Sequence, residues 1–308
     1  MENEARVKKS NYPAFGCCFS LAICLLSGQA LSVPVSQCDA LQPPAKTGIS
    51  LARWLLQEEK SFKELGCWQK HLGYGLKALE ESRKNKQAEV EIGIEMELSL
   101  QLASSSFYLG DYPQAQTLSE TGYQLAVQQG NTKAQVEGLY LLSAVARAQG
   151  RREDAISLGK SAVNKASDAE SLAKASMNLG AAYSDISPKD LKQAKWHLDI
   201  AYQTFLKLEK KNDALRAGLR LVRVDYLQDK LDEAHKRLVD LAPLVYTPRG
   251  EMLYHYQMAK VLHRKSLWQQ AKAYAENAKK QAAKLAAKQD KERIESLISA
   301  IIQQRFVD

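Results

Sequence analysis

Glycine and proline are both scarce in this sequence, at 16 and 8 of 308 residues, and aromatic side chains make up only 7%. Folds made of many short strands need glycine and proline at their turns, so the shortage argues against a β-sandwich or a barrel. It argues equally against a glycine-rich nucleotide fold, and neither GxGxxG nor GxxxxGK[ST] occurs. The five histidines (His71, His197, His235, His255, His263) include no HExxH pair, and there is no GxSxG elbow. His255 and His263 lie about two turns apart on one helical face. Without a cysteine or a suitably spaced carboxylate beside them they read as packed or solvated side chains. Carboxylates are scattered along helical faces rather than gathered in acid–base pairs. The expectation is therefore no catalytic residues, no metal site and no cofactor.

What is present is helix-forming. Apolar residues reach 45% and charged residues 25%, enough to bury a core, with Ala, Leu, Lys and Gln recurring throughout. Lysine and arginine (43) outnumber aspartate and glutamate (35), for a net charge of +8, which speaks of partners and solubility rather than of fold. Residues 1–30 read as an export signal. Arg6, Lys8 and Lys9 precede the uncharged apolar run Ala14–Leu26, and Ser27-Gly28-Gln29-Ala30 offers small residues for cleavage after Ala30. As a helix that run spans about 20 Å against a hydrocarbon core of about 30 Å, so a membrane anchor fits less well. Ile23 stands where a lipoprotein signal wants a small residue. A cytoplasmic protein with an apolar start is the alternative. Residues 31–49 carry prolines and serines without helical period and read as an extended leader.

Three of the five cysteines (Cys17, Cys18, Cys24) fall inside the signal. Cys38 and Cys67 remain, an even pair able to oxidise outside the cytoplasm; two unpaired thiols are the alternative reading.

From Ser50 onward, one short pattern returns at a period near forty. An aromatic residue, arginine or leucine opens it and an alanine follows three places later: Tyr112 with Ala115, Arg152 with Ala155, Leu191 with Ala194, Leu231 with Ala234, and Trp268 with Ala271. Trp68 continues the series backwards with His71 in the alanine slot. Each unit has a first helix, a turn such as Leu109-Gly110-Asp111, a second helix carrying the alanine, and a polar break such as Gly130-Asn131-Thr132. A small alanine lets the two helices approach closely, and since one pair cannot bury its apolar face alone, the units must stack.

Asn178-Leu179-Gly180-Ala181-Ala182-Tyr183, with Leu198 and Ala201 following, resembles the first and second helices of a tetratricopeptide repeat. The period near forty resembles the longer-helix variety. Elsewhere the glycine slot holds Ala103, Ser143, Val222 or Ala259, and Ser187-Pro188 lengthens one turn. The resemblance implies an all-α fold, a right-handed α-α superhelix of about six helical pairs over 50–288. Residues 289–308 form a C-terminal capping helix on this reading, with Ile294, Leu297, Ile298, Ile301 and Ile302 covering the last repeat.

In such a solenoid the first helices line the concave surface. Projection onto the inward positions gives Gln101, Ser104, Tyr108, Tyr140 and Arg147, then Lys174, Asn178 and Asp185. The last two repeats give Arg216, Arg220, Arg223 and Tyr226, then Tyr256, Lys260, His263 and Arg264. Arg216, Arg220 and Arg223 share one stripe of one helix, and arginine forks match carboxylates. Asn178 matches the position from which family members hold a peptide backbone. The resulting expectation is a non-catalytic, exported scaffold that binds an acidic peptide or protein segment. A peptide-sensing regulator is the alternative. Nucleic acid is not expected, for want of an aromatic platform. Lys280, Lys284 and Lys288, with Lys272, form an outer basic stripe suited to peripheral membrane contact.

Overall fold

The computed structural model describes residues 37–43, 45–84, 89–285 and 288–305. The segment read as an export signal lies outside them. Thirteen α-helices follow one another among the described residues: α1 (Gly48–Leu65), α2 (Trp68–Lys84), α3 (Glu89–Leu109), α4 (Tyr112–Gln128), α5 (Thr132–Ala148), α6 (Arg152–Lys165), α7 (Ala169–Asp185), α8 (Leu191–Lys207), α9 (Lys211–Leu227), α10 (Leu231–Leu241), α11 (Pro248–Arg264), α12 (Trp268–Lys284) and α13 (Lys288–Ile302). They form six consecutive antiparallel pairs and a final single helix, a tetratricopeptide-like solenoid.

Local chemistry sets the corners. Gly110, Gly130 and Gly150 end helices in the left-handed region, at φ 83°, 66° and 75°, where other residues are strained. Five of the helices that follow a corner are capped by a side-chain oxygen. Asp111, Asn131, Asp168 and Asp190 accept the backbone N–H of Gln114, Ala134, Ser171 and Gln193, and Thr247 accepts that of Gly250. Between α7 and α8 the longer turn is closed by Asp190 N–H donating to Tyr183 C=O.

Ala115, Ala155, Ala194, Ala234 and Ala271 are all fully buried at equivalent crossings within their pairs. A Cβ on Gly180 would lie 2.7 Å from Leu198 Cγ and 3.0 Å from Ala194 C=O, so α7 and α8 meet here at backbone distance. Tyr183 lies one turn further on and stacks on His197. Ala194→Leu should overpack this crossing and cost about 1–3 kcal/mol in denaturant unfolding. His71, fully buried in the same slot of the first pair, fits because its Nδ1 meets Ser105 Oγ at 2.8 Å. Burial, then Lys63, pulls it down to about 4, so the ring is neutral.

Ile294, Leu297, Ile298 and Ile301 of α13 are buried against α12 in the C-terminal core cluster. Two details differ from the sequence reading. Ile302, the last residue of α13, is 61% exposed. The outer lysine stripe is not one continuous face, because α12 stops at Lys284 and Lys288 opens α13; Lys272, Lys280 and Lys284 do lie exposed on α12. No helix among the described residues is long and apolar enough to cross a membrane.

Successive first helices touch one another, α5 against α7 most closely, whereas successive second helices barely do. The stack therefore curves toward its first-helix face. α1 also reaches α11, and the Arg249 guanidinium lies 4.8 Å from the Tyr108 ring centroid, with Trp68 stacked on that ring.

Candidate functional site

The curvature brings the inward faces of α5, α7, α9 and α11 together. Their ends are chemically unlike. Near the N-terminal ends lie Glu137, Glu170 and Asp213; near the C-terminal ends lie Arg147, Arg220, Arg223, Lys260 and Arg264.

Asp185, the last residue of α7, is the centre of the basic edge. Arg147 Nη1 of α5 donates to its Oδ2 at 2.7 Å. From α9, Arg223 Nε stands 3.0 Å from its Oδ1 and Arg220 Nη1 3.8 Å from Oδ2. One carboxylate thus ties three consecutive first helices. Burial pushes its carboxyl up, but Arg220, Arg147 and Arg223 outweigh that and hold it below the usual range. Burial and the neighbouring Arg147 pull Arg220 down to about 10. On α11, Lys260 lies 4.7 Å from the Tyr226 ring centroid, and burial, Arg223 and Arg264 bring it down to about 8. The edge therefore holds more positive charge than Asp185 compensates.

The remaining predicted residues are placed as follows. Arg216 donates to Asp213 Oδ1 at 3.1 Å and to Tyr108 Oη at 2.7 Å, reaching from α9 to α3. Tyr140 donates to Glu137 Oε1 at 2.8 Å, and burial, then Glu137, raise its hydroxyl well above the usual tyrosine range. Lys174 pairs with Glu170 at 2.8 Å; burial pulls the ammonium down, but Glu137 and Glu170 outweigh it. Asn178, partly buried, donates one amide N–H to Lys174 C=O of its own helix. Tyr256 is half-buried, and Arg264 lies 3.7 Å from Asp229. His263 departs from the projection. It is 1% exposed and bonds Arg305 C=O at 2.8 Å, which makes it a tie to the C-terminal segment rather than a groove residue.

Projection did not flag Glu137, Glu170, Asp213 and Arg249. The first three precede a flagged residue by three or four positions, so the same face rule reaches them. Arg249 faces Tyr108 only because the curvature brings α11 over α3, which spacing does not encode. No group of three or more metal-ligating side chains gathers among the described residues.

No protein-family model matches the chain, and no curated protein matches it. Solved structures do. A Rap protein complexed with competence and sporulation factor is similar at a TM-score of 0.60 and 14% identity, over 87% of this chain and 80% of that one. BtubC from P. vanneervenii is similar at a TM-score of 0.53 and 17% identity, over 70% and 91% respectively. Aspartyl phosphate phosphatase F from Bacillus subtilis is similar at 0.53 and 14%, over 83% and 70%. At such identities the likeness is one of fold, and that fold is an all-α, tetratricopeptide-like repeat.

Proposed function

We propose that the chain is a non-catalytic binding scaffold whose basic groove edge receives an acidic peptide or protein segment. The observation that carries this reading is the cluster of Arg147, Arg220 and Arg223 around a single carboxylate on the inner face, with Lys260 adding its charge beside Arg223. Helical repeats offer long concave surfaces of this kind, and charge-assisted arginine–carboxylate pairs are strong when partly desolvated. A sensing role shares the same groove; the similar Rap structure is a complex with a factor. Export accords with the reading too, since the bond between Cys38 and Cys67 belongs in an oxidising compartment.

The test is titration with an acidic probe, pentaglutamate, at low and high salt. Arg220→Gln with Arg223→Gln should weaken binding by about tenfold or more. Melting should change little, because Arg147 still satisfies Asp185. Charge reversal at these two positions is a poorer test, since it would set new carboxylates against Asp185. Equal binding by wild type and variant would remove the groove from the function.

A further inference from the structure

The basic edge already holds an occupant, and the occupant belongs to the chain itself. Asp185 occupies the place an incoming carboxylate would take, within 4 Å of three guanidinium groups from two neighbouring helices. It satisfies them incompletely. Arg147 Nε is buried without a hydrogen-bond partner, Arg223 Nε stands close to Asp185 but out of line for a hydrogen bond, and Arg220 reaches the carboxylate only at ion-pair distance. Three cations against one anion leave an excess of two positive charges, to which Lys260 adds on the next helix. A segment bearing two or more carboxylates complements this edge better than Asp185 does. Asp185 is also the last residue of its helix, ahead of the turn at 186–190, so it is placed to yield.

We infer that Asp185 is a built-in competitor: it latches α5, α7 and α9 together in the empty protein and is displaced when an acidic segment enters. This inference rests on the groove reading above and adds its regulation. Displacement removes a side chain that joins three successive repeats, so ligand entry loosens the solenoid at its centre and couples binding to the inter-repeat angle.

The experiment compares wild type with Asp185→Asn, which keeps the shape and removes the charge, using pentaglutamate as probe and amide exchange at 186–190 as a second readout. Asp185→Asn should bind about tenfold or more tightly than wild type. Exchange at 186–190 should rise when the peptide is added to wild type and be already fast in the unliganded variant. The second readout separates a latch from simple relief of charge repulsion, which would raise affinity without altering exchange in the unliganded variant. Should Asp185→Asn fold poorly, Arg147→Gln with Asp185→Asn removes one charge of each sign and is expected to behave alike. Binding by wild type with no tightening in either variant, or exchange unaltered throughout, overturns the latch and leaves the groove standing. Absence of binding in wild type and variants alike overturns both.

Discussion

Replacing Arg237 with methionine should lower the unfolding free energy by about 3–5 kcal/mol, the range for stripping a buried ion of its partner. Asp225, near the C-terminal end of α9, has a side chain only 2% exposed, and Arg237 Nε of α10 donates to its Oδ2 at 2.8 Å. That end of a helix is where the dipole is least favourable to a carboxylate, so the guanidinium is the main compensation there. Arg237 also offsets the burial of Asp199 on α8, whose carboxyl burial holds above its usual range. Removing that cation leaves the buried Asp225 without its partner and leaves Asp199 with Lys195 as the neighbouring positive charge. Methionine keeps most of the arginine stem's packing, so the loss reports the charge. Denaturant unfolding of Arg237→Met, and of the double variant with Asp225→Leu, gives the check. The double variant should recover much of the loss, because it removes the stranded ion along with its partner. A single variant within about 1 kcal/mol of wild type would mean that water reaches Asp225.

The repeat was legible in the sequence because its grammar is steric. At Ala194 and Gly180 a larger side chain cannot be accommodated, so the residue type at each crossing reports the crossing itself. The corners at Gly110-Asp111 and Gly130-Asn131 were legible because their chemistry is local: each cap acts within three residues of its own position. The arginine stripe on α9 followed from helical spacing alone. What those arginines touch did not follow, since Asp185 meets them only through the packing of α7 against α9. The link from Arg216 to Tyr108 crosses 108 residues and depends on the accumulated curvature of several repeats. Small errors in each inter-repeat angle add up over that distance, and no local pattern fixes their sum.

Reducing the bond between Cys38 and Cys67 should destabilise the N-terminal pair by about 3–4 kcal/mol, on the chain-entropy estimate for a loop of this size. The two cysteines are 29 residues apart, and the loop they close contains the whole of α1. Cys38 lies in a short 3-10 helix at Gln37–Ala40; besides the packing of Leu41 on the N-terminal core, its surroundings include the half-exposed pair Asp39–Lys70 and the contact of Tyr74 with Gln42. Exposed contacts of that kind contribute about 0–1 kcal/mol each, so the covalent bond dominates. Cys67 sits in the corner between α1 and α2, after Gly66 at φ 71° and before Trp68, whose ring stacks on Tyr108 under Arg249. Loosening that corner loosens the contact between the first pair and α11. Because repeat arrays unfold by neighbouring units, the effect should be local first. Amide exchange in α1 and α2 should quicken with reductant, or in Cys38→Ser, while exchange in α7 and α8 stays unchanged. A uniform change along the array would mean that the bond supports the whole stack, through the seam with α11, and not only its first pair.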